Sequence, residues 1–540
     1  IGIAAGALGR RLRVPVEAVC VEGPADGVGG TGDGARRIEI LDAQEPAASG
    51  GARIEPADHR GMQRAGVQGA RGRRGEASDV LSCACDDGTV PGRDEARSVA
   101  TPDSRTASPG QPRGPSPESR PAPSSEPPLG PPFAARMDAM RSFQVMDLLD
   151  RARRLEAAGR DIVHMEVGEP DFASAEPILA AGEAAIRAGA TGYTSALGLP
   201  ALREGIAGYY ARWHGVSVAP ERIVVTAGAT GALVMLAALL LEEGDDLLMA
   251  DPCYPCNRQL PHLVGARARL LATGPETAYQ LVAEAVAAAR DARTRGVLLG
   301  SPANPTGSIL GREPLAALLA GNEAAGLFTI VDEIYQGLDF PAELAALPAE
   351  ARHGRVAADR CSTVLQLAGD AAAPLYVVNS FSKYFGMTGW RIGWLVAPEA
   401  AVPQLEKLAQ NFWIAPSTPG QHAALAALSD EAVAIHEARR RVFCERRNHL
   451  VDGLRRIGLA VPRIPEGAFY VYANLGALPL DSFEFCARLL EEAGVAATPG
   501  TDFGEHLAHR HVRFAATADV ERIDEALARL ETFVGALARA

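Results

Sequence analysis

From residue 137 onwards, short apolar runs alternate with longer stretches whose apolar residues recur every three or four positions. The short runs predict buried strands, and the longer periodic stretches predict amphipathic helices. The predicted strands are IVVT (223–226), LLMA (247–250), GVLLG (296–300), FTIVD (328–332), YVVNS (376–380) and RIGWLVA (391–397). The predicted helices are 146–159, 175–188, 199–213, 228–242, 279–290 and 312–325. Strands that alternate with helices indicate an α/β fold with a mostly parallel central sheet flanked by helices.

The last part of the chain has a mixed pattern. Residues 416–540 contain a long periodic stretch, two short apolar runs, FYVYA and HVRFAA, and a final periodic stretch. This order predicts a smaller α+β domain. We therefore expect a large domain over 181–415 and a C-terminal small domain over 416–540. Residues 137–180 form a predicted N-terminal segment that contributes to the small domain.

The beginning of the chain differs in composition. Its first 132 residues contain no Phe, Tyr or Trp, and residues 101–132 carry eleven prolines. A segment of this kind buries too little apolar surface to offset the entropy lost on ordering. We expect residues 1–136 to be a disordered or artefactual extension, and Met137 or Met140 to be the natural start.

Charge and cysteine content narrow the class of protein. The net charge of −13 argues against broad nucleic-acid binding. No run of about 18 apolar residues occurs, so no membrane partner is expected. Cys253 and Cys256 form a CxxC pair, but no second CxxC completes a metal site, so we expect no metal. Eight cysteines in 540 residues are typical of a cytoplasmic protein with reduced thiols.

The chain contains only two lysines among its 53 Lys and Arg residues. A lysine amine can lose its proton and attack a carbonyl carbon, whereas arginine effectively cannot. Lys407 lies in LEKLAQNF, a predicted helix face, and is expected to be a solvated surface charge. Lys383 lies in NSFSKYFGMTGWRIGW, shortly after the predicted strand 376–380, and is the candidate nucleophile.

Ligands of open α/β sheets bind outside the carboxyl ends of the strands. The small residues after IVVT open a predicted helix, whose free N–H groups suit a phosphate. The other polar or aromatic residues that follow predicted strands are Tyr254, Asn304, Asp332, Tyr335, Ser380, Lys383 and Arg391. Each has an ordinary structural explanation on its own, such as a turn, a packed aromatic or a helix cap. Together they fit an aromatic aldehyde with a phosphate, a phenolic oxygen and a ring nitrogen, which is pyridoxal 5′-phosphate.

Residues 137–540 resemble the class I/II, fold-type I aminotransferases, which depend on pyridoxal phosphate. The motifs occur in the family's order, and their combination is far more specific than any one of them. They are GEPDF (168–172), GYTSALGLPALREGI (192–206), GATGAL (228–233), DPCYP (251–255), NPTG (304–307), DEIY (332–335), SFSKYFGMTGWRIG (380–393) and VRF (512–514).

The resemblance implies a role for each matching residue around the cofactor ring. Lys383 matches the lysine that holds the cofactor covalently and later moves a proton. Asp332 matches the carboxylate that keeps the ring nitrogen protonated. Tyr335 and Asn304 match the partners of the phenolic oxygen, and Tyr254 matches the aromatic that stacks on the ring. The family also uses Trp at that stacking position.

The resemblance also implies a phosphate cradle and a substrate site. The cradle residues are Ala229, Thr230, Ser380 and Arg391, together with Tyr193, which in the family reaches in from the neighbouring subunit of a homodimer. Arg513 matches the arginine that binds the substrate's α-carboxylate, and the N–H of Gly168 and the side chain of Asn304 are expected beside it.

The implied activity is transfer of an amino group from an L-amino acid to a 2-oxo acid. The resemblance also implies that the segment before GEPDF lines the pocket entrance. Here it reads MRSFQVMDLL (140–149), whose apolar side chains favour neutral, aliphatic or aromatic donors. The alternative is that Phe143 and Val145 only pack the N-terminal helix against the small domain. A carbon–sulfur β-lyase on the same scaffold would share every cofactor residue and stays an alternative. A transcriptional regulator built on this fold is a further alternative, although residues 1–136 show no helix-turn-helix pattern.

Overall fold

The computed structural model describes residues 133–340, 361–368 and 372–539, which belong to one compact unit, Ala122–Ala540. The expected extension therefore lies outside the described residues as far as position 132. The last residues of the extension, 133–136, are described and include the start of an exposed 3-10 turn, Ala135–Asp138. Within the described parts of the chain, no helix is long and apolar enough to cross a bilayer.

Most of the α-helices in the described ranges have one of two common N-terminal features. Some have Pro in the first turn, and others have an N-cap Ser or Asp whose side chain accepts a backbone N–H of that turn. They are α1 (Gln144–Ala157), α2 (Glu176–Arg187), α3 (Pro200–Tyr209), α4 (Gly228–Leu240), α5 (Pro255–Gln259), α6 (Ala283–Ala289), α7 (Arg312–Ala324), α8 (Val402–Phe412), α9 (Thr418–Ala427), α10 (Asp430–Arg456), α11 (Ser482–Arg488) and α12 (Val520–Leu537). Short 3-10 or π turns join them at Tyr210–His214, Pro220–Arg222, Leu260–Val264, Pro275–Thr277, Val364–Gln366, Thr388–Trp390, Glu399–Ala401, Leu489–Ala493, Gly500–Asp502 and Ala508–Arg510.

The strands are short and rich in Val, Ile and Leu, the composition of buried strands. They are β1 (Val163–His164), β2 (Ile223–Thr226), β3 (Asp246–Asp251), β4 (Arg267–Ala272), β5 (Thr294–Gly300), β6 (Phe328–Asp332), β7 (Leu375–Ser380), β8 (Gly393–Val396), β9 (Tyr470–Asn474), β10 (Val495–Ala496), β11 (Thr498–Pro499) and β12 (His511–Ala515).

Seven of these strands form the central sheet in the order β2-β8-β7-β6-β5-β3-β4. Only β8 runs antiparallel to its neighbours, so the sheet is mostly parallel, as predicted. Strands β2, β6, β7 and β8 are buried along their whole length, because helices cover both faces. The architecture is the predicted α/β fold, with a mostly parallel central sheet flanked by helices.

A second hydrophobic core lies apart from the central sheet. It joins apolar residues of α1 and β1, such as Leu148 and Val163, to those of α10–α12 and the small strands, such as Leu450, Phe485 and Phe514. Strands β11, β12 and β9 form an antiparallel sheet here, and β1 pairs with β10. The N-terminal segment thus packs with the end of the chain, while the domain boundaries near 181 and 416 stay predictions.

Several predicted elements have different bounds in the structure. The helix predicted over 279–290 begins only at Ala283, because Ala278 and Tyr279 have positive φ angles of 57° and 54°, which no helix accommodates. The strand predicted from Arg391 begins at Gly393 for a similar reason, since Arg391 has a φ of 55°. The helix predicted to reach residue 213 ends at Tyr209 and continues as a π turn.

Candidate active site

The carboxyl ends of the parallel strands meet at one edge of the central sheet. Thr226, Asp332 and Ser380 end β2, β6 and β7 there. Strand β8 runs in the opposite direction, so its first residue, Gly393, pairs with both Thr226 and Ser380. This reversal brings Arg391, two residues before β8, to the same edge. A cavity of about 410 Å³ opens at this edge.

The structure gathers most of the predicted site residues around this cavity. Those on its wall are Gly168, Ala229, Thr230, Tyr254, Asn304, Asp332, Tyr335, Lys383, Arg391 and Arg513. Ser380 lies one layer behind the wall, where its hydroxyl is 2.8 Å from that of Ser382, which lines the cavity. Tyr193 is 81% exposed and lies outside the wall that the described residues of this chain form.

Lys383 lies in the loop after β7, and its Nζ donates a hydrogen bond of 2.6 Å to the carbonyl oxygen of Gly168. The pKa of Lys383 is lowered from 10.5 to about 8, mainly by burial and also by Arg513 and Arg391, against the opposing charges of Glu169 and Asp332. A sizeable fraction of the amine is therefore neutral near pH 7.5, as a nucleophile requires.

Lys407 provides the contrast that the sequence predicted. It is exposed on α8, and its Nζ donates to the Oε1 of Gln404, on the same helix, at 3.0 Å. Of the two lysines, Lys383 alone lines the cavity.

Asp332 ends β6 with its carboxylate in the cavity wall, 7% exposed. Its Oδ1 accepts the N–H of Ile334 at 3.1 Å. Burial raises the pKa of Asp332 to about 6, because the hydrogen bond from Ile334 and the charge of Lys383 compensate only in part. A cationic N–H group of a ligand beside this carboxylate would supply the missing stabilisation.

The start of α4 and Arg391 form a cradle for an anion. Ala227, at the N-cap position of α4, offers no side-chain acceptor to the first turn. A Cβ on Gly228 would lie 2.6 Å from the Nη2 of Arg391, so the guanidinium lies directly against the helix start. Two positive ends meet here, which is unfavourable unless an anion binds between them. Because Ala229 and Thr230 line the cavity at this point, the cradle fits a phosphate group.

Tyr335 lies on the cavity wall, in the loop after β6. Its hydroxyl is 2.8 Å from the hydroxyl of Tyr470, on β9. Burial raises the pKa of Tyr335 well above its ordinary value, and the neighbouring Tyr470 raises it further. Tyr335 is therefore a neutral hydroxyl, able to donate to a phenolic oxygen of a ligand.

Arg513 lies on β12 and is almost fully buried at 5% exposure. Its Nη1 donates to the Oδ1 of Asn304 at 3.1 Å, and its Nη2 donates to Thr498 and to the carbonyl oxygen of Glu166. Its Nε is buried without a hydrogen-bond partner among the described residues. An unpaired buried guanidinium N–H is costly, so the site fits a ligand carboxylate that would accept from it.

Sequence reasoning missed Tyr470, whose role depends on distant contacts. The Tyr470 ring lies under the Arg513 guanidinium, with Cζ 4.3 Å from the ring centroid. A Cβ on Gly168 would lie 2.0 Å from the Tyr470 hydroxyl, so only glycine fits at that position. Tyr470 thus contacts three predicted site residues, Tyr335, Arg513 and Gly168. The only available signal was its place in the apolar run FYVYA.

Comparison with known proteins finds aminotransferases, both by sequence and by structure. The chain matches the family described as aminotransferase class I and II over residues 160–530. It is 36% identical over 392 residues to valine–pyruvate aminotransferase of Mycobacterium tuberculosis, which covers 73% of this chain and 96% of that protein. It is 32% identical over 413 residues to aspartate aminotransferase of Geobacillus stearothermophilus, covering 75% and 100%. A crystal structure of an aminotransferase from Mycobacterium tuberculosis matches with a TM-score of 0.69 at 35% identity, covering 75% of this chain and 100% of that one.

The sheet topology and the cavity at the strand ends are those of the fold-type I transferases. This chain belongs to the class I and II aminotransferase family. It is a transaminase, which moves amino groups from amino acids to 2-oxo acids. The resemblance seen in the motifs and the predicted fold class are confirmed.

Proposed function

We propose that the cofactor of this chain is pyridoxal 5′-phosphate, held in the cavity at the sheet edge, and that the preferred donors are neutral amino acids. The observation that carries the cofactor assignment is the juxtaposition of Lys383, the buried carboxylate of Asp332 and the anion cradle at α4 around one cavity. These groups match the aldehyde, the ring nitrogen and the phosphate of that molecule.

Each residue has a defined task at the cofactor end. Arg391 and the N–H groups of Ala229 and Thr230 bind the phosphate, and Ser380 supports them through Ser382. The carboxylate of Asp332 holds a proton on the ring nitrogen, and Tyr335 and Asn304 donate to the phenolic oxygen. Tyr254, on the cavity wall, would pack against the ring.

At the substrate end, Arg513 binds the α-carboxylate, next to Asn304 and the backbone of Gly168. Bound in the cavity, pyridoxal phosphate supplies an aldehyde carbon for the amino group and a ring that withdraws electrons from the substrate's Cα. Lys383 holds the neutral amine that moves the Cα proton, and the carbonyl oxygen of Gly168 orients it. The apolar wall excludes water from this transfer.

The cavity wall near α1 supports the preference for neutral donors. Phe143, Val145 and Met146 line it, whereas Arg141 does not. In the described residues, the cations of the wall are Lys383, Arg391 and Arg513, and each already has a task. The wall also carries the carboxylates of Glu166, Glu169 and Asp502. A second carboxylate on the substrate would therefore lack an arginine and face like charges.

We expect kcat/KM for valine, leucine or phenylalanine to exceed that for aspartate, with pyruvate or 2-oxoglutarate as acceptor. The relative of 36% identity is named for valine and pyruvate, and the relative of 32% identity is named for aspartate, so the panel decides between them. The measurement is steady-state kcat/KM for each donor at a saturating acceptor. An aspartate value about ten-fold above the others, worth ~1.4 kcal/mol in transition-state binding, would contradict the preference.

We also propose that the active enzyme is a homodimer in which Tyr193 binds the cofactor phosphate of the other subunit. The loop that carries Tyr193 is fixed to α9, since Thr418 donates to the carbonyl oxygen of Gly192 and Gln421 donates to the hydroxyl of Thr194. The exposed ring of Tyr193 is thereby presented outward, as a contribution to a neighbouring subunit requires.

Subunit mixing tests this arrangement. Refolding Lys383→Ala together with Tyr193→Ala should restore activity, because one site of each mixed dimer then has an intact lysine and an intact partner tyrosine. Random pairing restores about a quarter of the sites. A mixture of Lys383→Ala with Lys383→Arg is the control, and it should restore none. No recovery in the first mixture would place Tyr193 outside the partner's site.

A cytoplasmic location, expected from the cysteine content, remains a prediction.

A further inference from the structure

Loop 500–506 is fixed to the end of the central sheet. The carboxylate of Asp251, the last residue of β3, accepts the N–H groups of Glu505 at 3.0 Å and His506 at 2.9 Å. The N–H of Cys253 donates to the carbonyl oxygen of Phe503 at 2.8 Å. A Cβ on Gly504 would lie 1.6 Å from the Asp251 carboxylate, so only glycine permits this approach. The loop is therefore held at a set position beside the cavity.

The same loop caps α1, which lies 358 residues earlier in the chain. Phe143, at the N-cap position of α1, has no side-chain oxygen for the free N–H groups of the first turn. The carboxylate of Asp502 accepts them instead, from Gln144 at 2.8 Å and from Val145 at 2.9 Å. The hydroxyl of Thr501 also donates to the Oε1 of Gln144 at 2.8 Å.

The capped turn contributes apolar side chains to the cavity wall. Phe143 and Val145 line the cavity, and the Phe143 ring centroid is 6.3 Å from that of Tyr254. On the other side of the loop, the ring of Phe503 lies 4.9 Å from the Arg513 guanidinium. One short loop therefore connects the proposed α-carboxylate site to the wall that faces the substrate side chain.

We propose that Asp502 is a positioning residue that sets donor specificity by holding the first turn of α1 against the substrate side chain. This inference rests on the proposed preference for neutral donors. It predicts that loosening the cap weakens binding of donors whose side chains reach the wall, and affects alanine far less, because a methyl group does not extend that far.

Asp502→Asn is the first test, since it keeps the shape but places an amide N–H₂ group against a backbone N–H. We expect kcat/KM for leucine and phenylalanine to fall about ten-fold, mainly through KM, and that for alanine to fall by less than about three-fold. The visible absorbance of bound pyridoxal phosphate should be retained. Asp519→Asn and Asp481→Asn are matched controls, because each of these carboxylates caps a helix of the same region, α12 or α11, away from the cavity. They should leave the leucine-to-alanine ratio unchanged.

Gln144→Pro is the second test, and it removes the N–H that donates to Asp502 together with the side chain that accepts from Thr501. Proline is favoured at the first position of a helix, and the extended backbone of Phe143 suits a residue before proline, so the variant should fold. Gln144→Ala controls for the lost side chain. If kcat/KM for leucine, relative to that for alanine, falls more in Gln144→Pro than in Gln144→Ala, the result supports the inference.

Equal losses for all donors, or no loss in either variant, would overturn the role of Asp502. The readout is a ratio between variant and wild type, so it is independent of which donor the wild type prefers. A wild-type preference for aspartate would refute the proposed donor class, and the leucine-to-alanine ratio would still report on the cap.

Discussion

Replacing Lys383 with alanine is expected to lower kcat by at least about 10⁴-fold, the upper end of what a positioned proton-transfer group contributes. The amine that attacks the cofactor aldehyde and the base that moves the Cα proton are the same atom, so both functions are lost together. Lys383→Arg should fail equally, because its guanidinium keeps its proton, although the positive charge remains.

The most direct measurement is covalent capture of added pyridoxal phosphate, fixed by borohydride and located by peptide mapping. Wild type should be labelled at Lys383, and Lys383→Ala should lose both this label and the visible absorbance. Lys407→Ala is the matched control, because Lys407 is the only other lysine and is exposed on α8. It should react and turn over as wild type does. Turnover by Lys383→Ala would contradict the assignment.

The pKa of Lys383 gives this experiment a pH dependence. Only the neutral amine attacks an aldehyde, and burial lowers the pKa of Lys383 to about 8. The rate of capture by cofactor-free protein should therefore rise as the pH increases and level off above about 8. An exposed lysine would continue to gain rate until about pH 10.5, the ordinary pKa of a lysine. A capture rate at Lys383 that still climbs at pH 10 would show that the cavity does not lower its pKa.

Local sequence pattern was sufficient for the parts of the fold that are buried and continuous. The runs IVVT and FTIVD became β2 and β6 with the predicted bounds, because strands covered on both faces read as uninterrupted apolar runs. Strand β4, RARLLA, was missed, since it lies at the edge of the sheet and its residues are only partly buried. Its alternating arginines carry no signal of a buried strand.

Some residues of the candidate site were also predictable from local sequence, and others were not. Residues that follow a strand, such as Asp332 and Lys383, were predictable, because topology brings all carboxyl ends of a parallel sheet to one edge. Tyr470 and Asp502 were not, because each acts on residues more than a hundred positions away, Tyr335 and Gln144. No local pattern distinguishes such a tyrosine from a core residue or such an aspartate from a surface charge.

Asp332→Asn is expected to give the second-largest effect, a fall in kcat on the order of 10²–10³, as for other preorganised electrostatic groups. The amide keeps the Oδ1 that accepts the N–H of Ile334, so the loop after β6 should stay in place. What is lost is the negative charge that holds a proton on the ring nitrogen. Lys383 should still capture the cofactor covalently, but the cofactor should dissociate more readily.

Glu333→Gln is the matched control, one residue further along the chain and equally buried. Its carboxylate faces Val364, Thr363 and Gln336 and lies outside the cavity wall. Burial raises the pKa of Glu333 to about 8, so the group is largely protonated at pH 7 and the variant changes little charge. Its amide N–H₂ meets a hydrogen-bond donor, so the variant measures the cost of disturbing a buried network away from the cavity. We expect kcat within about three-fold of wild type for this variant. If Glu333→Gln lost as much activity as Asp332→Asn at pH 7, the effect would reflect a disturbed buried strand end, and the charge of Asp332 would have no special part in catalysis.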